Sequence, residues 1–188
     1  MADNATARSA ILRHYLCENL GCGDDEIEIS YSLSGKPFLA APRRDLWFST
    51  ASRDGILAIA LSRRGPVGVD LETLDQCRDA MAEAATLFSP NEQTWLNTQP
   101  ASQQAMAFAR LWTGKEAVLK AAGTGIVLGI VQPDFGVSMP FSDPPWPAVV
   151  AELNHAPYTV VWYSSMVDEA LVIAARADTK PVGPFGLS

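Results

Sequence analysis

Trp112-Thr113-Gly114-Lys115-Glu116-Ala117-Val118-Leu119-Lys120 is the stretch on which the reading of this chain turns. It forms the second half of a helix predicted to begin near Ser102 and close at Gly123. Ala105, Phe108, Leu111, Trp112, Val118, Leu119 and Ala122 fall on one side of it at about 100° per residue. Glu116 and Lys120 lie one turn apart on the face that flanks this stripe. Lys115 falls near the middle of the stripe, where a charge is not expected. Taken alone, the segment reads as an ordinary amphipathic helix with one surface ion pair, so what can meet its charged face decides the matter.

Upstream, Val67 to Glu72 reads as a short strand. Alternation sets Asp70 and Glu72 on one face, roughly 6–7 Å apart, and turns Val69 and Leu71 into a core. Two acids on a strand are often only a solvated edge. If Glu116 meets them, three like charges share a pocket and repel unless a cation neutralises them. Hard oxygen ligands of this kind suit Mg²⁺ together with substrate phosphates, and Lys120, one helical turn on, would then face phosphate oxygens. Earlier still, Leu46 to Thr50 and Ile56 to Leu61 read as two strands joined by the hairpin loop Ser52-Arg53-Asp54-Gly55, which offers a hydroxyl and a guanidinium. Arginine is a natural bidentate phosphate partner, although this tetrapeptide is also an unremarkable turn. Lys36, in the turn Ser34-Gly35-Lys36-Pro37, is a second exposed cation.

The remaining segments supply the frame. A first helix, capped by Asp3 or Asn4, runs to about Leu20 with Ala7, Ile11 and Tyr15 beside Leu12 and Leu16 on its apolar side, and Gly21 and Gly23 end it. Glu26 to Tyr31 alternates as a half-buried strand. Helical patterns cover Gln76 to Phe88 and, with Ser89 as cap and Pro90 at the first position, Pro90 to Asn97. Gly125 to Gly129 reads as a loop or short strand, and Pro140 to Pro147 as irregular. Val149 to Leu153, Tyr158 to Ser164 and Ala170 to Ala175 are strands, the last two a hairpin. This order predicts an α+β fold of antiparallel sheets with helices packed on one face. Each half holds a helix followed by about three strands, compatible with two similar lobes, residues 1–66 and 67–178, before a loose tail at 179–188.

Composition narrows the classes further. Hydrophobic residues make up 48% of 188 and charged residues 19%, a globular balance. A net charge of −7 argues against a general nucleic-acid binder, which needs a basic surface. Cys17, Cys22 and Cys77 form neither a disulfide framework nor a zinc spacing, which fits a reducing cytoplasm. No signal pattern opens the chain and no apolar run approaches the roughly 20 residues that span a bilayer. His14 and His155 are far apart and read as structural; no Walker loop, nucleophile elbow or dinucleotide fingerprint occurs.

Together, Gly68-Val69-Asp70-Leu71-Glu72 and Trp112 to Lys120 resemble the paired signature of 4′-phosphopantetheinyl transferases, G-[VI]-D-x-E followed by [FW]-[SCT]-x-K-E-[AS]-x-x-K. Supporting similarity reaches from Gly35-Lys36-Pro37 to Ala122-Gly123-Thr124-Gly125-Ile126. The length and the Gly-Lys-Pro block look like the two-lobed, surfactin-synthetase-activating type rather than the short trimeric one. That resemblance implies a monomer with pseudo-two-fold symmetry, each lobe an antiparallel sheet with a packed helix, and one site between the lobes. It implies Asp70, Glu72 and Glu116 as Mg²⁺ ligands, with Lys120 and Lys115 on the pyrophosphate of coenzyme A and Lys36 on its nucleotide part. Where the family has Ser-His-[ST]-Gly, this chain has Ser52-Arg53-Asp54-Gly55, so Arg53 takes the place of a histidine that contacts the cofactor's 3′-phosphate. An arginine preserves that chemistry, while Asp54 adds a negative charge beside it.

The implied reaction is transfer of 4′-phosphopantetheine from coenzyme A to a serine of an apo acyl or peptidyl carrier protein, releasing adenosine 3′,5′-bisphosphate. Glu116 is the candidate proton acceptor and Lys120 the partner of the leaving group. Two other readings use the same residues: a Mg²⁺-dependent phosphohydrolase, and a non-catalytic module that binds coenzyme A or a carrier. Neither nucleic acid nor membrane is an expected partner.

Overall fold

Helix α1 (Asn4–Leu20) opens the computed structural model, which describes residues 4–125, 130–135, 139, 144–167 and 170–179. Leu12, Leu16 and Leu20, spaced by four, form its buried stripe, while Ile11 and Tyr15 face outward at 44% and 46% exposure. The apolar side expected from the sequence is therefore rotated: β-branched Ile11 and amphipathic Tyr15 tolerate the surface, and three leucines at one helical spacing take the core. Gly21, at φ 65°, ends the helix with its N–H on the Cys17 carbonyl.

Strands β1 (Glu28–Tyr31) and β2 (Pro37–Ala41) form an antiparallel hairpin under this helix. β2 is absent from the sequence reading, which saw only the turn before it. Proline at its first residue and the lack of alternation hid it; Pro37 opens a strand whose missing N–H faces no partner. Glu26 belongs to a 3₁₀ turn, so β1 starts two residues later than expected. Strands β3 (Trp47–Arg53) and β4 (Ile56–Ser62) pair antiparallel with Arg53 opposite Ile56. Asp54 and Gly55 both have positive φ, 50° and 80°, as a two-residue type I′ turn requires. Leu12, Leu16, Leu20, Ile27, Leu46 and Phe48 make the apolar cluster that binds these elements together.

Strand β5 (Val67–Thr73) is buried along its whole length. It leads into helices α2 (Leu74–Ala84), α3 (Pro90–Thr98) and α4 (Ala101–Ala122). The last strands, β6 (Val149–Leu153), β7 (Ala156–Val167) and β8 (Ala170–Asp178), return beside β5 in an antiparallel sheet of order β5-β8-β7-β6. The class is α+β with antiparallel sheets and packed helices, as expected. The halves differ in strand pairing, with two two-stranded ladders in the first and one four-stranded sheet in the second. Ser89 caps α3 through the Glu92 N–H while the Glu92 carboxylate accepts from the Ser89 N–H, a capping box.

α4 lies across β5 and β8. Gly68 allows the close approach: a Cβ there would stand 1.9 Å from the Ala117 carbonyl oxygen and 2.5 Å from the Ala121 nitrogen. Gly123, at φ 73°, caps α4 through the Leu119 carbonyl, as the sequence indicated. Val69 and Leu71 point away from α4 into a cluster with Ala51, Ala60 and Val172, so β5 also backs onto the β3–β4 hairpin. Asp3, residues 126–129, residues 140–143 and the tail from Lys180 lie outside the described residues. Among the described residues no helix is long and apolar enough to cross a membrane.

Candidate active site

Because Gly68, Asp70 and Glu72 alternate on the α4 side of β5, the contact at Gly68 sets Asp70 against the last turn of the helix. Lys120 Nζ lies 2.6 Å from Asp70 Oδ1. Glu116, one turn earlier, is close enough to Asp70 and Glu72 that both negative charges raise its carboxyl. All three are nearly buried, at 7–8% exposure. Asp70 Oδ2 and Glu116 Oε1 are buried without a hydrogen-bond partner. Burial pushes the Asp70 carboxyl up to about 6, against the pull of Lys120 and with help from Glu72. Burial, then the neighbouring Asp70, pushes Glu116 up to about 7.

Glu72 is held differently. Arg53, at the end of β3, grips it with both arms of the guanidinium, Nε to Oε2 at 2.8 Å and Nη2 to Oε1 at 2.5 Å. Asp54, the extra charge of this hairpin, is turned onto the Gln76 amide at 2.6 Å. Among the described residues no three His, Cys, Asp or Glu side chains converge at metal-binding distances. Two orphaned carboxylate oxygens nevertheless face a site where negative charge is in excess, and Mg²⁺ takes one or two protein carboxylates plus substrate phosphates. Asp70 and Glu116 fit that donor set. Glu72 can join it without losing Arg53, since a carboxylate offers about four lone-pair directions.

Lys36 reaches the same end of α4 from the β1–β2 turn, its Nζ donating to the carbonyls of Ala121 (3.1 Å) and Val67 (3.4 Å). Lys36, Ser49, Thr50, Lys120 and Gly123 line a cleft of about 210 Å³ there. Lys120 also lines a second cleft of about 530 Å³ between α1 and the β3–β4 hairpin, together with Ser52, Thr50 and Arg8. Arg8 donates to Ser52 Oγ at 2.6 Å. The sequence reading passes over Arg8, and nothing local marks it: only the packing of α1 on the hairpin brings it to Ser52.

Lys115 does not come to this site. Its side chain is wholly buried on the other side of α4, with Nζ 2.7 Å from both oxygens of the equally buried Glu92 and donating to the carbonyls of Val131 and Pro133. The expectation that it snorkels toward phosphate fails because residue 115 is rotated about 100° from Glu116. That turn directs it at the capping-box carboxylate of α3, a buried charge that needs a counter-ion. The Ser89-Pro90-Asn91-Glu92 pattern, with an acid three residues after a serine cap, is the signal that could have pointed to it.

Asp70, Glu72, Glu116, Lys120, Lys36, Ser52 and Arg53 are thus gathered around one end of α4 and the facing edge of the first half, and Lys115 stands apart. The chain is 34% identical over 123 residues to the 4′-phosphopantetheinyl transferase HetI of Nostoc sp., a match covering 64% of this chain and 52% of the relative. It is 32% identical over 120 residues to the 4′-phosphopantetheinyl transferase gsp of Aneurinibacillus migulanus, covering 64% and 48%. It is 35% identical over 96 residues to the 4′-phosphopantetheinyl transferase AcpT of Escherichia coli K12, covering 51% and 49%. The chain spans about half the length of the curated relatives it matches. Residues 66–175, which include β5, α4 and every carboxylate of the site, match the family model of the 4′-phosphopantetheinyl transferase superfamily, and the chain belongs to that family.

Proposed function

We propose that this chain transfers 4′-phosphopantetheine from coenzyme A to a serine hydroxyl of an apo acyl or peptidyl carrier protein, with Mg²⁺, releasing adenosine 3′,5′-bisphosphate. The observation that carries the reading is the pair of unpartnered, buried carboxylate oxygens of Asp70 and Glu116 beside the Lys120 ammonium. A pocket with excess negative charge and an adjoining cation suits a metal–pyrophosphate better than a neutral ligand. The three cysteines, all free, are in keeping with a cytoplasmic protein, and we take it to act as a monomer.

In this reading the first lobe, residues 1–66, supplies Lys36, Ser52 and Arg53, and the second, residues 67–178, supplies Asp70, Glu72, Glu116 and Lys120. Asp70, Glu72 and Glu116 would hold Mg²⁺, with Glu72 oriented by Arg53. Mg²⁺ supplies Lewis-acid stabilisation of charge on the pyrophosphate oxygens when bound. Lys120, already aimed at this pocket, contacts the pyrophosphate, and Lys36 lines the cleft that takes the nucleotide end. The carrier serine oxygen forms a bond to the β-phosphorus of coenzyme A. The bond from that phosphorus to the bridging oxygen breaks, and adenosine 3′,5′-bisphosphate leaves with the electron pair, its charge offset by Lys120. Glu116 accepts the serine proton; its position one turn before Lys120 puts acceptor and cation on the same helix face.

The test is incubation with coenzyme A, Mg²⁺ and apo carrier proteins, followed by mass spectrometry. The expected result is the mass gain of one phosphopantetheine on the carrier serine, abolished by Asp70→Ala. No gain on any of several unrelated carriers removes the transferase reading. Release of phosphate or nucleotide without an acceptor would favour a phosphohydrolase instead.

A further inference from the structure

Two residues at the tip of the β3–β4 hairpin reach across to the second half of the chain. Arg53, the last residue of β3, binds both oxygens of Glu72 at 2.8 and 2.5 Å. Asp54, the first residue of the turn, accepts from the Gln76 amide at 2.6 Å. Glu72 lies near the end of β5 and Gln76 in the first turn of α2, so the tip straddles the junction between them. Arg53 and Asp54 are also the two positions at which Ser52-Arg53-Asp54-Gly55 departs from the pattern it resembles.

The Arg53 contact changes the charge that the carboxylate pocket presents. Of the three acids, Asp70 is matched by Lys120 and Glu72 by Arg53, which leaves Glu116 as the one unmatched charge among the described residues. Arginine stays protonated, and its planar fork fixes both oxygens of Glu72 at once. The Glu72 side chain is almost buried, so water screens this pair little. A divalent cation that enters by itself meets two cations already seated on its ligands, and like charges at such range repel. One that enters with a pyrophosphate brings further oxygen ligands and negative charge, the mixed donor set that Mg²⁺ favours.

We propose that Arg53 makes metal binding in this pocket conditional on the pyrophosphate ligand: by matching the charge of Glu72, it leaves Mg²⁺ weakly held until phosphate oxygens join the carboxylates. The proposal rests on the transferase reading above. Arg53 acts through Glu72, so it is a positioning residue, and the contact of Asp54 with Gln76 seats the hairpin tip that carries it. Mg²⁺ then enters and leaves with the nucleotide rather than residing in the protein between turnovers.

Calorimetric titration of the full chain with Mg²⁺ at pH 8, with and without excess coenzyme A, tests this. The wild type holds Mg²⁺ at least about tenfold more tightly with coenzyme A, tenfold being about 1.4 kcal/mol. Arg53→Gln tightens Mg²⁺ alone by about tenfold and narrows that difference; the Arg53 side chain is 43% exposed, so the substitution opens no cavity. Arg53→Lys, which keeps the charge, restores the difference. Gln76→Ala, which loosens the hairpin tip but leaves the pocket charges in place, binds Mg²⁺ alone as the wild type does. Equal affinities with and without coenzyme A in the wild type overturn the proposal alone. So do an unchanged affinity for Mg²⁺ alone in Arg53→Gln, no recovery in Arg53→Lys, or the same tightening in Gln76→Ala. A wild type that neither binds coenzyme A nor modifies a carrier removes the transferase reading, and the proposal with it.

Discussion

Lys115→Met takes a positive charge out of a place that water does not reach. Lys115 and Glu92 have fully buried side chains, and the ammonium stands 2.7 Å from each Glu92 oxygen. The carboxylate also accepts from the backbone N–H groups of Ser89 at 3.0 Å and Phe135 at 2.9 Å. The variant therefore leaves a buried carboxylate with two neutral donors and no counter-charge, and it strands the carbonyls of Val131 and Pro133, which Lys115 also serves. Removing one partner of a buried pair costs about 3–5 kcal/mol. The two remaining N–H donors, and the option of taking up a proton, place the loss toward the lower end of that range, and the stranded carbonyls raise it again. Urea denaturation of the wild type, Lys115→Met, Glu92→Gln and the double variant reads the cost. The double variant should be less destabilised than the two single losses summed, by on the order of 2 kcal/mol. A Lys115→Met protein within about 0.5 kcal/mol of the wild type refutes the ion pair as a structural anchor. A variant of unchanged stability that binds coenzyme A about tenfold more weakly places Lys115 on the cofactor after all.

Glu116→Gln should abolish transfer while stabilising the metal-free protein. The Glu116 carboxyl rises from 4.5 to about 7 on folding, so the folded state binds more protons than the unfolded one between those values. Stability without metal then falls as pH rises through that window, by roughly 3 kcal/mol for a shift of this size. Melting temperatures from pH 4.5 to 7 without divalent ions should decline in the wild type and decline less steeply in Glu116→Gln, where the raised Asp70 carboxyl still contributes; equal slopes in the two proteins remove the assignment. Added Mg²⁺ should raise the melting temperature more at pH 8 than at pH 5, because at the lower pH Asp70 and Glu116 carry protons that a metal must displace. Equal gains at both pH values would mean that Mg²⁺ acts elsewhere. Gly68→Ala should cost more than about 3 kcal/mol, since its Cβ meets backbone atoms of α4 rather than a side chain that can swing aside. A wild-type melting temperature in that variant would show that the contact between strand and helix can yield.

Much of the fold was legible because its signals are local. Ser89 and Pro90 announce the start of α3 and Gly123 the end of α4, and each acts within one turn of the chain. The hairpin between β3 and β4 was legible as well, but Ser52 and Arg53, expected in its loop, pair with Leu57 and Ile56, so the turn is only Asp54-Gly55. Two features were not legible for the opposite reason. β2 has no alternation and begins with proline, so only its pairing with β1 makes it a strand. The buried face of α1 is chosen by what lies beneath it, Ile27, Leu46 and Phe48, and the sequence offered two overlapping apolar faces between which only that packing decides.

The site divides along the same line. Strand alternation and the i, i+4 rule bring Asp70 and Glu72 to one face and Glu116 and Lys120 to another, and the structure joins the two faces at Gly68. Periodicity can say which acids share a pocket, but not which cations enter it, since those contacts span the chain: Arg53 to Glu72 across 19 residues, Lys120 to Asp70 across 50, Lys115 to Glu92 across 23. A count of carboxylates predicts a cluster too repulsive to persist without metal. The structure resolves that difficulty with residues of its own: Arg53 neutralises Glu72, Lys120 neutralises Asp70, and Glu116 alone is left without a cationic hydrogen-bond partner among the described residues. The remaining imbalance is one negative charge rather than three, small enough to fold around and still attractive to a divalent cation that arrives with its phosphates. Lys120 holds Asp70 at 2.6 Å and Arg53 grips Glu72 with both arms of its guanidinium; in the proposed transfer Lys120 would turn its charge to the pyrophosphate while Arg53 stayed on Glu72. The two cations that stabilise the pocket would then part ways, the lysine moving because its compact charge sits on a flexible stem and the bidentate arginine staying in place.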